Sequence, residues 1–221
     1  MDLSLFIEHA NACGPQIEAV TLAKIAKQES ALRPWALSVN YPLGTARKLG
    51  VPGGYARLAQ QPQTKAQAVR WAARLVEQGH TVSFGLMQVS SQNLARLGYT
   101  LEQAYEPCTN IKIAATLLAD KLQLAKKVTP NDPWPTALSF YNAGDARTGF
   151  SNGYVAGVMN QPVAAMPARG AVMPSAPEPR VTTQDSAVAP TPKSVRTPAV
   201  EAVPAYRAAM TAPTRINWKK P

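Results

Sequence analysis

Glu29 is the residue in this sequence best placed for acid–base chemistry. Counting back along the chain, Glu29 shares one helical face with Ala26, Ile25 and Leu22. A carboxyl group that ends an apolar stripe lies at the rim of the core or inside a lined cleft. Burial and the negative end of a helix dipole both raise a carboxyl pKa, so such a group could donate a proton near neutral pH. The same pattern also fits a partly exposed Glu at a helix end.

Other residues that could do chemistry have simpler explanations. Asp132 precedes Pro133 as a helix cap would, and Asp145 fits a solvated loop aspartate. His9 and His80 are isolated from each other, and neither belongs to a Cys/His motif typical of metal sites. We therefore predict no metal site and no cofactor.

The elements expected to position these residues are mainly helical. Pro15 fits the first residue of a helix that ends near Ser30, and the Thr64–Gln67 and Thr100–Gln103 pairs have capping-box spacing. The predicted helices cover residues 15–30, 64–79, 100–105, 110–127 and 132–141. The one strand-like piece runs from Val82 to Val89, and residues 40–63 fit a long loop. The fold class is therefore mostly α, with one small β-hairpin or irregular element.

Composition divides the 221-residue chain near residue 160. Residues 160–221 hold 11 of the 20 prolines and no Leu, and they supply half of the net charge of +10. A segment with so few large apolar side chains cannot offset the entropy lost on ordering. We predict a domain over residues 1–159 and a disordered, basic Pro/Ala-rich tail over residues 160–221. No stretch approaches the roughly 18 apolar residues of a membrane span.

Three short motifs occur in a characteristic order. They are Glu-Ser at residues 29–30, with Ser38 nine residues after Glu29; Gly-Leu-Met-Gln at 85–88; and Tyr-Asn-Ala-Gly at 141–144. Together they resemble the signature of the soluble lytic transglycosylases, peptidoglycan-cleaving enzymes with a lysozyme-like fold. The run between them, including Asn93 to Gly98 and Pro107-Cys108, is similar to the branch found with type IV secretion and conjugation machineries. The resemblance covers roughly residues 13–155.

The resemblance implies a role for each matching residue. Glu29 would be the single catalytic acid, protonating the oxygen between N-acetylmuramic acid and N-acetylglucosamine and then acting as base on the muramyl C6 hydroxyl. The product would carry a 1,6-anhydro end. The residues implied in substrate binding are Ser38, Met87, Gln88, Tyr141 and Asn142. Met87 also fits a core position, and Asn142 also fits a helix-end cap.

The same resemblance sets the expected compartment and partners. Glycan strands of the cell wall would be the substrate, which implies the periplasm, although residues 1–14 do not predict a signal peptide. With two Cys at loop-to-helix junctions, a Cys13–Cys108 disulfide is the simplest expectation there, and two buried thiols are the alternative. The tail is a passive linker, a tether to the wall or a docking peptide for secretion-machinery proteins.

Three other functions are compatible with part of these features. A muramidase would use Glu29 to hydrolyse the same bond, and a non-catalytic wall-binding module would keep the fold without needing an acid. The positive charge alone suggests nucleic acid, but no helix-turn-helix, zinc-ligand or aromatic-platform motif accompanies it. We therefore do not predict nucleic-acid binding.

Overall fold

A computed structural model of the chain describes residues 1–41, 55–58 and 60–163. Most of the predicted 40–63 loop and nearly all of the predicted 160–221 tail lie outside these residues, so the tail and its boundary stay predictions. The described helices are α1 Leu3–Cys13, α2 Ala19–Ser30, α3 Lys65–Glu77, α4 Ser91–Leu97, α5 Leu101–Ala104, α6 Pro107–Val128, α7 Pro133–Ala143, α8 Thr148–Ser151 and α9 Tyr154–Met159. The strands are β1 Leu37–Asn40, β2 Tyr55–Arg57, β3 Thr81–Phe84 and β4 Val89–Ser90.

The mostly α fold class is confirmed, but the sheet is larger than the sequence indicates. It is antiparallel with the order β2-β1-β3-β4. The predicted Val82–Val89 hairpin corresponds to β3 and β4, whereas β1 and β2 were not predicted. Strands of three or four residues are too short for an alternating pattern to stand out.

Helix α2 begins later than predicted. Pro15 lies in a turn in which the Ile17 N–H donates to the Gly14 carbonyl at 3.1 Å, and the helix starts after Glu18. Its end at Ser30 is as predicted, because Ala31 is left-handed with φ 54° and its N–H donates to carbonyls of the last turn. The helix therefore stops one residue after Glu29.

The residues before α2 also belong to the fold. Asp2 caps α1 by accepting the Leu5 N–H at 2.8 Å, and Phe6 and Ala10 are fully buried. The short apolar run of residues 3–7 thus belongs to a helix that the sequence did not predict, in which Phe6 faces the core and Leu5 is exposed. No helix in the described part of the chain has both the length and the apolar character needed to cross a membrane.

Capping signals located several helix starts correctly. The Thr100–Gln103 capping box is present in full, and Thr64 accepts the Gln67 N–H at 3.2 Å. The Gln67 side chain instead accepts the Gln63 N–H, so the second half of that box is displaced by one residue. Asp132 occupies the cap position of α7 but its side chain makes no capping bond.

The long helix α6 is the centre of the core. It starts with Pro107 at its first turn and packs against α7 and α1, burying an apolar face that includes Ile111, Ala114 and Leu118. Cys13 at the end of α1 is bonded to Cys108, with the two Cα atoms 5.4 Å apart. This confirms the predicted disulfide over the buried-thiol alternative. The disulfide closes a loop with a sequence separation of 95. Closing a loop of this length stabilises a fold by about 4 kcal/mol in the chain-entropy model.

Candidate active site

The carboxyl group of Glu29 lies, partly buried, at the end of α2. The Tyr154 hydroxyl at the start of α9 donates to Glu29 Oε1 at 2.6 Å. Burial raises the pKa of Glu29 from its ordinary value of 4.5 to about 7, while the Tyr154 bond and the charge of Arg57 oppose part of this rise. Glu29 can therefore exist in both protonation states near neutral pH, as a group that first gives and then takes a proton must.

Two arginines hold the C-terminal end of α2. Arg57 in β2 donates from Nη2 to the backbone carbonyl of Glu29 at 2.7 Å, and Arg33 donates from Nε to the carbonyl of Ser30 at 3.0 Å. Both side chains are exposed. Cations at this position satisfy carbonyls that the helix leaves open and complement its dipole.

The Gly-Leu-Met-Gln segment forms the turn between β3 and β4. Gly85 has φ +80°, and the Asn110 side chain fills the space where a Cβ would be. Asn110 is buried, accepts the Met87 N–H at 2.9 Å, and donates to the carbonyls of Phe84 and Ala104. One amide from α6 therefore fixes the backbone of the turn.

The turn is also tied to α2 and to the sheet. Ser30 donates to the Leu86 carbonyl at 2.7 Å, which joins the residue after Glu29 directly to the turn. Gln88, left-handed with φ 47°, accepts from Ser38 Oγ at 2.7 Å and donates to the Gly85 carbonyl at 3.1 Å. The predicted residues Ser38 and Gln88 are thus hydrogen-bonded partners, although 50 residues separate them.

Tyr141 reaches the same turn from α7. Its hydroxyl donates to the Met87 carbonyl at 2.9 Å. Burial, and then the negative charge of Glu29, raise the pKa of Tyr141 well above its ordinary value, so the phenol keeps its proton. The Met87 side chain itself is fully buried in the core, and its backbone oxygen is the atom that faces Tyr141.

Asn142 is exposed and is not the cap of its helix, which ends at Ala143 and is capped by Gly144. Asn152 donates to Asn142 Oδ1 at 2.8 Å and accepts the Tyr154 N–H at 2.9 Å. Asn142 therefore supports the start of α9, where the partner of Glu29 lies.

Asp132 and Asp145 are not among the groups that act on Glu29. Asp145 is exposed and accepts hydrogen bonds from the Thr148 hydroxyl and from the N–H groups of Thr148 and Arg147, and these bonds hold its pKa below the ordinary value. Asp132 is exposed at the start of α7. Among the described residues, the charged side chain that affects the pKa of Glu29 is that of Arg57, a cation.

Sequence reasoning missed Tyr154, Arg57 and the role of Asn110. The available signal for Tyr154 was an aromatic residue opening a short apolar helix with Val155 and Val158, all three of them buried. A buried tyrosine hydroxyl needs a hydrogen-bond partner, so such a residue can be suspected of facing a polar site. Arg57 offered no such signal, because β2 itself was not predicted.

Replacing Tyr154 with Phe is expected to raise the pKa of Glu29 further, because the lost hydrogen bond stabilises the carboxylate. Carboxyl-carbon NMR of protein labelled at Glu measures this titration directly. Tyr99→Phe is the matched control and should leave the Glu29 titration in place. A Glu29 pKa that is unchanged or lower in Tyr154→Phe would contradict stabilisation of the carboxylate by the Tyr154 hydroxyl.

Comparison with known proteins agrees with this geometry. The Transglycosylase SLT domain profile matches residues 6–160, from within α1 to the end of α9. Protein virB1 of Agrobacterium fabrum (strain C58) is 35% identical over 153 residues, covering 68% of this chain and 56% of that protein. Type IV secretion system protein virB1 of Brucella suis biovar 1 is 32% identical over 176 residues, which cover 73% of this chain and 68% of that protein.

The chain thus spans only between about half and two thirds of the length of these relatives. No solved structure gave a significant match. The profile nevertheless covers well over half of the chain and includes Glu29, the Gly85–Gln88 turn, Tyr141 and Tyr154. The chain belongs to the Transglycosylase SLT domain family.

Proposed function

We propose that this protein is a peptidoglycan lytic transglycosylase that cleaves the β-1,4 bond between N-acetylmuramic acid and N-acetylglucosamine. The observation that carries the proposal is the environment of Glu29. Its carboxyl is partly buried, is hydrogen-bonded to Tyr154, and has a pKa of about 7. Membership of the Transglycosylase SLT domain family supports the same reaction.

One carboxyl group can serve both halves of this reaction. Protonated Glu29 gives its proton to the glycosidic oxygen as the bond to the muramyl C1 breaks, which releases the N-acetylglucosamine hydroxyl. The resulting carboxylate then takes the proton of the muramyl C6 hydroxyl as its oxygen bonds to C1. Glu29 returns to its starting state, and no water is consumed. Most glycosidases need a second carboxylate for water or for a covalent intermediate, and this route does not.

The other residues support the acid in distinct ways. Tyr154 holds the carboxyl and stabilises its ionised form, as the second step requires. Ser38, Gln88, Tyr141 and the Met87 carbonyl form one hydrogen-bonded wall around the Gly85–Gln88 turn. We propose that Gln88 and Tyr141, the partly exposed members of this wall, and the exposed Asn142 contact the bound sugars, while the fully buried Ser38 positions Gln88.

The biological role that we propose is the local opening of the cell wall for a type IV secretion or conjugation apparatus. The name of the Brucella suis relative, type IV secretion system protein virB1, supports this context. Such a role places the enzyme in the periplasm, with glycan strands as substrate. The tail then remains a candidate contact for the secretion machinery.

Digestion of purified peptidoglycan, followed by mass analysis of the released muropeptides, tests the reaction. We expect anhydro-muramyl products, each one water lighter than the corresponding hydrolysed product, because C6 oxygen replaces water as nucleophile. Hydrated products would instead identify a muramidase acting through the same Glu29. Binding to the wall without any release of muropeptides would identify a non-catalytic module.

A further inference from the structure

Arg57 is an exposed cation placed beside the carboxyl of Glu29. Arg57 lies directly opposite Ser38 in the antiparallel pair of β1 and β2. Side chains directly opposite each other in such a pair lie on the same face of the sheet. Ser38 contacts Gln88 on that face. Arg57 thus projects on the side of the sheet that carries the proposed sugar-binding wall.

The hydrogen bond to the Glu29 carbonyl leaves most of the guanidinium available. Arginine carries five N–H donors in a planar fork, and the contact with Glu29 uses Nη2. The fork is therefore held at one corner, next to the acid, while the rest of an exposed side chain faces solvent. A planar cation held in this way is suited to a carboxylate, which matches the fork with two parallel hydrogen bonds.

The proposed substrate carries carboxylates on only one of its two sugars. N-acetylglucosamine is neutral, whereas the muramyl sugar bears a lactyl carboxyl, which is either free or joined to a stem peptide that has carboxylates of its own. A cation beside the cleavage point could therefore distinguish a muramyl residue from its neutral neighbour. The neutral hydrogen-bonding groups of the wall, Ser38, Gln88 and Tyr141, do not supply such a charge.

We propose that Arg57 is a specificity residue that binds a carboxylate carried by the muramyl sugar and so selects which sugar is presented to Glu29. This inference rests on the proposed function and identifies the substrate feature recognised beside its catalytic acid. Arg57 would act by direct contact with substrate, in addition to holding the end of α2.

Calorimetric binding in a Glu29→Gln background tests the proposal without consuming the ligand. The probes are a peptide-free tetrasaccharide of alternating N-acetylglucosamine and N-acetylmuramic acid, the same tetrasaccharide with its lactyl carboxyls converted to methylamides, and a tetrasaccharide that carries stem peptides. We expect Arg57→Ala to weaken binding of at least one carboxylate-bearing probe about tenfold, and to leave the methylamide probe nearly unchanged. A loss confined to the first probe identifies the lactyl carboxylate, and a loss confined to the third identifies the stem peptide.

Arg33→Ala is the matched control, because Arg33 is also exposed and also holds a carbonyl at the end of α2. It should leave the preference for carboxylate-bearing probes intact. Arg57→Lys, which keeps the charge but loses the fork, should recover part of the lost affinity. The recovered portion should weaken as salt is raised.

Equal losses for charged and methylamide probes would overturn the proposal, because they would show that Arg57 only supports the fold. Equal losses of affinity for the carboxylate-bearing probes in Arg57→Ala and Arg33→Ala would overturn the proposal as well, because they would indicate general attraction by positive charge. Failure of the parent Glu29→Gln protein to bind any of the three probes would instead count against the proposed function itself. The two failures are therefore distinguishable.

Discussion

Glu29→Gln should lower the rate of peptidoglycan cleavage about a thousandfold while leaving wall binding intact. Gln has nearly the same shape as protonated Glu and can still accept the Tyr154 hydroxyl hydrogen, but it has no proton to give to the glycosidic oxygen. Release of soluble muropeptides measures the rate, and co-sedimentation with insoluble peptidoglycan measures binding. The loss of cleavage and the retained binding are both expected because a single carboxyl is assigned the acid and base roles.

The same substitution has a second expected effect, on stability. Glu29 has a folded-state pKa of about 7 against an ordinary value of 4.5. Between these two values the unfolded chain loses a proton that the folded protein keeps, so stability falls as the pH rises. Above about pH 7 the loss is complete and amounts to about 3 kcal/mol at most. Glu29→Gln removes this loss, so the variant should be more stable than the parent at pH 8 and little different at pH 4.

Glu18→Gln is the matched control, since Glu18 is an exposed residue that flanks the opposite end of the same helix. It should change neither the cleavage rate nor the pH dependence of unfolding by urea. An unchanged cleavage rate in Glu29→Gln would contradict the assignment of the acid. A variant that is inactive but also less stable than its parent at pH 8 would contradict burial as the cause of the raised pKa.

The parts of the site that sequence could predict are those fixed by local pattern. The helical face of Glu29 follows from the spacing of Leu22, Ile25 and Ala26, all of which are fully buried. The strand-like run from Val82 to Val89 was also recognised from its local pattern, and Gly85 within it has a φ of +80° in the turn between β3 and β4. The start of α7 was located by Asp132 and Pro133, although the carboxylate of Asp132 plays no part in the cap.

The parts that sequence could not predict depend on contacts between distant segments. Tyr154 meets Glu29 across 125 residues, and Arg57 meets it through a three-residue strand that pairs with β1. The residues next to Tyr154 and Arg57 in the sequence do not indicate that either side chain will contact Glu29. Gln61 shows the same limit, because its side chain both accepts from the Leu37 N–H and donates to the Leu37 carbonyl, as a neighbouring strand would.

Backbone strain in the described residues is concentrated around the acid. The non-glycine residues there with positive φ are Ala31 and Leu32, directly after α2, and Gln88 in the turn. The Ser30–Leu86 hydrogen bond joins these two segments. Conformations of this kind cost about 1–3 kcal/mol each and persist only where the surroundings impose them. The hydrogen bonds of Asn110 in α6 hold the turn, and that of Ser30 keeps the helix end in a fixed relation to it.

Gly85→Ala tests that relation and should be severely destabilising. A Cβ at this position would lie 2.3 Å from Asn110 Nδ2, and the φ of +80° would strain an alanine in any case. Asn110 cannot withdraw without losing its bonds to Met87, Phe84 and Ala104, which would leave buried polar groups unpaired. We expect a loss of about 3 kcal/mol or more in the free energy of unfolding by urea, and a large fall in cleavage even where the variant remains folded.

Gly79→Ala separates the two causes, because Gly79 has nearly the same φ, +82°, with no atom within 4 Å of the added Cβ. It should lose only about 1 kcal/mol, the strain of the backbone, and retain cleavage. The difference between the two variants then measures what contact with Asn110 contributes to the turn. If Gly85→Ala were no more destabilising than Gly79→Ala, Asn110 would be free to move, and the turn that presents Gln88 and the Met87 carbonyl would not depend on it. Cleavage that survives in Gly85→Ala at the Gly79→Ala level would likewise show that Glu29 acts without a fixed turn beside it.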